Sequence, residues 1–192
     1  MSTRIFAGAL AVLTLLALPA SSQAQKPMEL TALDYIQIQQ LVAKYARAID
    51  TCSNNGYDYA DLYTPDGVFL PIVNGKPVAG IQGREKLAEV SGGGSKGCKN
   101  VPWIEQGVHH IYVNHIITPT PDGAAGTVDM MMIGLGADPN KIESDGYYED
   151  VYVKTAQGWR FKQRTHHALL DAGRRVTPPA PGGGAPSSGS QR

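Results

Sequence analysis

The sequence predicts an α+β fold in which three helices lie on one face of a curved, mostly antiparallel sheet. Two observations predict this fold: helix-like segments occupy the first half of the chain, and four long strand-like segments follow them. The first group carries apolar residues at helical spacing, whereas the second is rich in aromatic and branched residues separated by turn signals. Helices followed by a meander of strands indicate one layer of helices packed on one sheet.

The first helix is expected to begin after Thr31, because Thr31 and Asp34 have the spacing of a capping box, with Asp in place of the usual Glu. A second, short helix is expected over Tyr57–Tyr63. The turn-forming run Thr64-Pro65-Asp66-Gly67 should end it. Gly83–Val90 is expected to form the third helix.

The strands begin with Val68–Val73, which the turn Asn74-Gly75 should close into a hairpin. Loops are expected at Ser91–Asn100 and Gly136–Asp145. The four long strands are predicted at Val108–Thr118, Ala124–Leu135, Tyr147–Lys154 and Trp159–His167.

Both ends of the chain are expected to lie outside this fold. Residues 1–24 have a basic start, an apolar run and the small-x-small site Ser22-Gln23-Ala24, which is the pattern of a secretory signal peptide cleaved after Ala24. Residues 25–176 should form one domain. Residues 177–192 are rich in Pro, Gly and Ser and should be disordered. We therefore expect a periplasmic or secreted protein that has no membrane segment after cleavage.

Composition argues against several classes of function. The formal net charge is zero and no basic stripe is present, so nucleic acid is not an expected partner. The chain has no Gly-rich phosphate loop and no GxSxG nucleophile motif. Within each adjacent histidine pair, His109-His110 and His166-His167, the two members point to opposite sheet faces, and no Cys/His zinc spacing appears. A metal site is therefore not predicted, although His110 with His166 or His167 on neighbouring strands stays open. Cys52 and Cys98 could form a disulfide after export or remain as two buried thiols.

Asp50 and His110 are the candidates for chemistry. A carboxylate that holds one imidazole nitrogen fixes the tautomer and leaves the other nitrogen free to take a proton. The alternative is a core histidine with Asp50 capping the next segment. Strict strand alternation would place His110 on one face with Tyr112, Asn114 and Ile116, and would place His109 and His115 on the other.

Four stretches together carry a family resemblance: LVAKYARAID, the TPDGVF turn near Tyr63, the H-x-x-x-N strand from His110 to Asn114, and the closing hairpin GYYEDVYVKTAQGWRF. In this order they resemble the SnoaL-like members of the nuclear transport factor 2-like superfamily, over about Thr31–Arg164. The resemblance implies a cone of bent sheet and helices around a deep apolar pocket, and a possible homodimer.

Within that superfamily, Asp50 and His110 look like the dyad of scytalone dehydratase, hexachlorocyclohexane dehydrochlorinase and bile-acid dehydratase, which eliminate without a cofactor. The resemblance makes His110 the base, Asp50 its orienting carboxylate and Tyr45 a catalytic tyrosine. Tyr45 could equally be an ordinary core aromatic. The dehydrochlorinase has an arginine on its closing hairpin. This sequence departs from that pattern, since Lys154 or Thr155 occupies the corresponding region.

Further candidates for substrate binding are Tyr63, Tyr112, Asn114 and Asp129. Asp129 stands among Val and Met residues, so it either faces the pocket as an acid-base group or faces solvent. The first hypothesis is an exported, cofactor-independent lyase or isomerase of dehydratase type that acts on a small, largely apolar molecule. The second is a non-catalytic ligand-binding or interaction domain of the same fold. The substrate and the reaction subclass stay open at this point.

Overall fold

The computed structural model describes residues 25–73, 75–99, 107–134, 142–171 and 174–175. Its helices are α1 Ala32–Thr51, α2 Tyr57–Ala60 and α3 Arg84–Val90, with a 3-10 turn at Ser53–Gly56. Its strands are β1 Tyr63–Val73, β2 Lys76–Pro77, β3 Ile81–Gln82, β4 His109–Thr120, β5 Gly123–Ile133, β6 Ile142–Thr155, β7 Gly158–Asp171 and β8 Arg174–Arg175. The expected signal segment and tail lie outside the described residues, as do parts of the two predicted loops. No helix within the described residues is long and apolar enough to cross a membrane.

The strands form one sheet in the order β2-β1-β7-β6-β5-β4, to which β3 and β8 add at β1 and β7. The strand β1 runs parallel to β7, and the other long neighbours are antiparallel. The helix α1 contacts both β4 and β7. These strands are three places apart in the sheet, so one helix can reach both only because the sheet curves around it. The predicted α+β fold is confirmed.

The first helix is anchored at its start by Asp34. Thr31 and Asp34 form the expected capping box. The same carboxylate accepts hydrogen bonds from Lys154 Nζ at 2.7 Å and Trp159 Nε1 at 3.0 Å. The hydrogen bond from Lys154 is the largest of the effects that hold the pKa of Asp34 far below its usual range. Asp34 therefore joins the start of α1 to the β6–β7 hairpin and fixes the helix across the sheet.

The run Thr64-Pro65-Asp66-Gly67 differs from its prediction as a turn. It lies inside β1, where the pairing register with β7 shifts. Thr64 Oγ1 donates to Asp66 Oδ1 at 2.9 Å, so the turn-forming side chains satisfy each other within a bulge. A Cβ on Gly67 would lie 2.8 Å from the carbonyl oxygen of Phe161. Glycine is needed here because the bulged strand passes so close to β7.

A second bulge lies in β4 and changes which side chains face the interior. Asn114 has a φ of 54°, and the register with β5 shifts between Val113 and Ile116. Beyond the bulge, His115 turns inward and Ile116 is 64% exposed. The predicted alternation is therefore wrong from Asn114 onward, because the extra residue reverses the faces of everything that follows it.

Cys52 and Cys98 form a disulfide, with sulfur atoms 2.02 Å apart. Cys52 is the C-cap of α1 in the left-handed conformation, two residues after Asp50. Cys98 lies in the segment that leads toward β4. The bond thus joins the two parts of the chain that carry Asp50 and His110.

Candidate active site

The structure brings Asp50 and His110 into direct contact. Asp50 lies in the last turn of α1, and His110 is the second residue of β4. His110 Nδ1 lies 2.5 Å from Asp50 Oδ1, and the backbone N–H of His110 donates to Asp50 Oδ2 at 3.0 Å. Both side chains are more than nine-tenths buried. Because the carboxylate accepts from Nδ1–H, the neutral imidazole keeps its free lone pair on Nε2.

His109 is the second imidazole near this carboxylate. Its Nδ1 is 3.7 Å from Asp50 Oδ2, and its side chain is 49% exposed. The distance is too long for a hydrogen bond. Of the two adjacent histidines, His110 alone has the geometry of an oriented base.

An open groove borders the dyad between α1 and β4, the edge strand of the sheet. It consists of two recesses of about 430 Å³ each, which share Ala43, Ala46 and His110 as lining residues. One recess includes Asp50, and the other extends past Tyr112 to His115. The alanines leave room between helix and strand, so His110 lies at a place that a small molecule can reach.

Tyr45 lies at the centre of the interior, beneath the groove. It is completely buried, and its hydroxyl accepts a hydrogen bond from Tyr59 at 3.3 Å. The Tyr59 hydroxyl in turn lies 3.1 Å from that of Tyr63. Burial raises the pKa of Tyr45 well above its ordinary value, so the phenol stays protonated. Tyr45 is thus a core aromatic that keeps its phenolic proton, and the two interpretations of its role do not exclude each other.

Arg164 is a buried cation that the sequence analysis did not identify. It lies on β7 with no exposed surface, and its guanidinium carbon is 4.0 Å from the Tyr45 ring centre and 3.9 Å from that of Tyr148. Nε lies 3.3 Å from Asp150 Oδ1. None of its three nitrogens has a hydrogen-bond partner among the described residues. Burial acts to lower the pKa of Arg164, but the Asp150 charge and the tyrosines raise it well above its ordinary value.

This arrangement leaves binding capacity in the interior. Aromatic ring faces attract a cation, but they accept hydrogen bonds from its N–H groups only weakly. A buried donor without an acceptor is costly. A ligand oxygen that carries negative charge would supply what the guanidinium lacks.

The four substrate-binding candidates fall into two pairs. Tyr63 belongs to the buried hydroxyl chain. The ring centre of Tyr112 lies 6.3 Å from that of His110 and 5.2 Å from the Arg164 guanidinium carbon, so it contacts both groups. Asn114 Nδ2 donates to Asp129 Oδ2 at 2.8 Å, and both residues are exposed. Asn114 also lines the recess that extends to His115, so it borders the groove without entering the buried interior.

The strand register explains why alternation along β7 does not predict Arg164 as an interior residue. Phe161 and Arg164 are three residues apart, so strict alternation would place them on opposite faces. Both are completely buried, because the pairing of β6 with β7 shifts between Val151 and Tyr152. One usable signal was the alternation of Tyr148, Asp150 and Tyr152, which puts an acid between two aromatics on one face.

No curated protein matches the chain. Several solved structures do match it. An NTF2-like protein with a cystatin-like fold from Novosphingobium aromaticivorans has a TM-score of 0.61 and 18% identity, and the match covers 71% of this chain and 82% of that one. A presumed scytalone dehydratase from the same organism has a TM-score of 0.55 and 20% identity, and the match covers 80% and 95%. A Catenulispora acidiphila protein in complex with S-DNPA has a TM-score of 0.54 and 22% identity, and the match covers 71% and 95%.

At these identities the likeness to solved structures shows the fold alone. The family follows from a second comparison: the model of the SnoaL-like domain matches residues 30–165, which is more than half of the chain. The match spans α1, the disulfide, the dyad and most of the sheet, and the resemblance drawn from the sequence is confirmed. The chain belongs to the SnoaL-like domain family.

Proposed function

We propose that this protein is an exported, cofactor-independent lyase or isomerase that acts on a small, largely apolar molecule. The observation that carries the proposal is the contact of Asp50 with His110 Nδ1 at 2.5 Å, beside an open groove. An oriented imidazole at a groove can serve as a general base that takes a proton from carbon. The apolar and aromatic lining favours a substrate with a ring or a conjugated system.

In the proposed reaction, Nε2 of His110 removes a proton from a carbon next to a carbonyl or similar group. The electron pair of the broken C–H bond moves into that group, and Asp50 stabilises the imidazolium. In an elimination, that electron pair then forms a C=C bond as a hydroxide or other group leaves the neighbouring carbon with its bonding electrons, and the leaving group takes the proton from His110. In an isomerisation, His110 returns the proton to a different carbon. Dehydration is the preferred subclass, and a presumed scytalone dehydratase among the structural neighbours supports it.

The negative charge that develops on the substrate oxygen needs a partner in the interior. Arg164 carries N–H groups that have no acceptor among the described residues, and the ring of Tyr45, a protonated phenol, lies against its guanidinium. Donors prepared in a buried site stabilise developing charge more strongly than water does. We assign this role to Arg164, with Tyr45 assisting.

The decisive experiment compares His110→Asn with His167→Ala. The amide of asparagine can donate to Asp50 as Nδ1 does, but it cannot take a proton, so the variant separates the base from the contact. His167 lies on the outer sheet face, where Nε2 is 2.9 Å from Glu149 Oε2. A panel of hydroxylated cyclic ketones in D₂O would be followed by mass spectrometry for deuterium uptake and loss of water. We expect His110→Asn to remove activity by about 10²-fold or more, whereas His167→Ala retains it. Full activity of His110→Asn on a substrate of the wild-type protein would overturn the assignment.

The packing of the interior favours a second candidate, a non-catalytic binding or interaction domain. Several large side chains there have no exposed surface: Tyr45, Tyr59, Tyr152, Phe161 and Arg164. A substrate oxygen must displace part of this packing to reach Arg164. Retention of a small molecule by both wild type and His110→Asn, with no deuterium uptake by either protein, would support this candidate.

Export and assembly are further parts of the proposal. The signal-like residues 1–24 and the Cys52–Cys98 disulfide support an oxidising compartment. Exposed apolar residues on the outer face of β4 and β6 support a homodimer, and these are Ile111, Val113, Ile116 and Val151. An intact Met1 in exported material would contradict the first proposal, and a monomeric mass in light scattering would contradict the second.

A further inference from the structure

A chain of polar side chains connects Arg164 to His115 through Asp150 and Tyr152. Tyr152 donates its hydroxyl hydrogen to Asp150 Oδ2 at 2.7 Å. His115 Nε2 lies 3.0 Å from the same hydroxyl oxygen. Asp150 Oδ1 faces Arg164 Nε at 3.3 Å. Asp150, Tyr152 and Arg164 are each at most 2% exposed, so this is a connected interior network.

The direction of the hydrogen bonds follows from burial. Burial raises the pKa of the Tyr152 hydroxyl well above its ordinary value, so its single proton is present and goes to Asp150. Burial, with Arg164 nearby, lowers the pKa of His115 to about 4, so the imidazole is neutral near pH 7. A neutral His115 must then donate Nε2–H to the tyrosine oxygen.

Two backbone features make this network possible. The bulge at Asn114 turns His115 inward. Gly126 lies opposite, where a Cβ would be 3.0 Å from the Tyr152 ring and 3.4 Å from His115 Nε2. Any larger residue would press on the hydrogen-bonded pair. Both features keep Tyr152 in contact with Asp150.

The consequence concerns how Asp150 meets Arg164. A carboxylate beside a guanidinium ordinarily forms two parallel hydrogen bonds, which occupy two of the nitrogens. Here Tyr152 donates to Oδ2 at 2.7 Å, and Oδ1 lies 3.3 Å from Nε of Arg164. The two terminal nitrogens have no partner among the described residues.

We propose that Tyr152, held by His115, is a positioning residue that prevents Asp150 from binding Arg164 through both oxygens and so keeps the terminal guanidinium nitrogens free for the substrate. The proposal rests on the proposed function for the identity of that ligand. The positioning itself is a property of the protein without substrate. It gives Tyr152 and His115 a role that is separate from that of the Asp50–His110 dyad, because both act through Asp150 on Arg164.

The first test needs no substrate and compares Tyr152→Phe with Tyr147→Phe. Both changes remove one hydroxyl from β6, but Tyr147 faces outward, where it stacks on His167 with ring centres 4.5 Å apart. The readouts are crystal structures and the ¹⁵N–¹H resonance of Arg164 Nε, assigned by its loss in Arg164→Lys. In Tyr152→Phe we expect Asp150 to rotate onto two nitrogens of Arg164 and the resonance to shift. An unchanged Asp150 side chain with an unchanged Arg164 resonance would overturn the proposal.

The second test measures turnover on a substrate found by the exchange assay. Loss of one hydrogen bond to a charged group should lower kcat of Tyr152→Phe by about tenfold, with KM within about twofold of wild type. His115→Gln keeps an N–H donor and should lose less than about threefold. Equal losses in Tyr152→Phe and Tyr147→Phe would contradict the positioning role. If His110→Asn remained fully active, the proposed function would fail, while the resonance and crystal structures would still decide the state of Arg164.

Discussion

Replacing Asp50 with asparagine tests the central contact of the site. The carboxylate accepts two hydrogen bonds from His110, one from the ring at 2.5 Å and one from the backbone at 3.0 Å. The amide of asparagine has one oxygen, so it can accept only one of them and must turn its NH₂ toward the other donor. The fold keeps its shape, but the imidazolium loses its counter-charge.

The expected loss follows from the distance and burial. Two unit charges about 4 Å apart interact by about 4 kcal/mol at an effective dielectric constant of about 20. This constant suits side chains that are 6% and 8% exposed. An amide dipole replaces part of that energy, so kcat should fall by about 10²- to 10³-fold, or about 3–4 kcal/mol in the barrier. The free energy of unfolding should fall by about 1–3 kcal/mol, because a buried donor loses its acceptor.

The assay is the rate of substrate deuteration and of product formation at several substrate concentrations, with urea unfolding of the same preparations. Asp58→Asn is the matched control, since Asp58 is an exposed carboxylate that accepts from Asn54 Nδ2 at 3.2 Å. It should leave both measurements unchanged. If Asp50→Asn kept more than about a third of the wild-type kcat, Asp50 would not stabilise an imidazolium in the rate-limiting step.

Two further predictions concern stability. Reduction of the Cys52–Cys98 disulfide, which spans 46 residues, should lower the free energy of unfolding by about 4 kcal/mol on the chain-entropy model. The measurement is urea unfolding with and without reductant. The double variant Cys52→Ser/Cys98→Ser is the control, because its stability should not change when reductant is added. His115 should make stability depend on pH, because burial lowers its pKa from 6.5 to about 4. Between these two pH values the unfolded chain binds a proton that the folded chain does not. The free energy of unfolding should therefore decrease as pH falls from 6.5 to about 4. His115→Gln should have a shallower slope in the same urea titrations, and equal slopes would show that His115 does not carry this term.

Much of the fold could be predicted because its signals are local. The capping box of Thr31 and Asp34 depends on residues three apart in one helical turn, and it forms as expected. The four long strands follow from their composition, although β6 begins earlier than predicted. The prediction of a turn from Thr64 to Gly67 is wrong, because the same turn-forming residues are also compatible with a bulge. Only pairing with β7 selects the bulge.

The candidate site was predicted in part. Asp50 and His110 were identified by their positions in family-like stretches, and the fold places them in contact. Alternation predicts Asn114 on the face of His110, and in the structure Asn114 is exposed but lines the groove beside His110. Asp129, for which the sequence leaves both the pocket wall and solvent open, is exposed and accepts a hydrogen bond from Asn114. Arg164 was not found at all. Bulges in β4 and β7 explain the exposed Asn114 and the buried Arg164, because each bulge reverses which residues of its strand face inward.

The sequence by itself determined the helix start, the strand-forming segments, the family and the pair Asp50 and His110. These depend on residues close along the chain or on short motifs that keep their spacing. The tertiary structure alone decided which polar side chains enter the interior, and above all that Arg164 lies there with Asp150, Tyr152 and His115. The physical reason is that strand alternation has a period of two, so a single extra residue exchanges the inner and outer faces. That residue is placed by pairing with neighbouring strands, which no local pattern encodes.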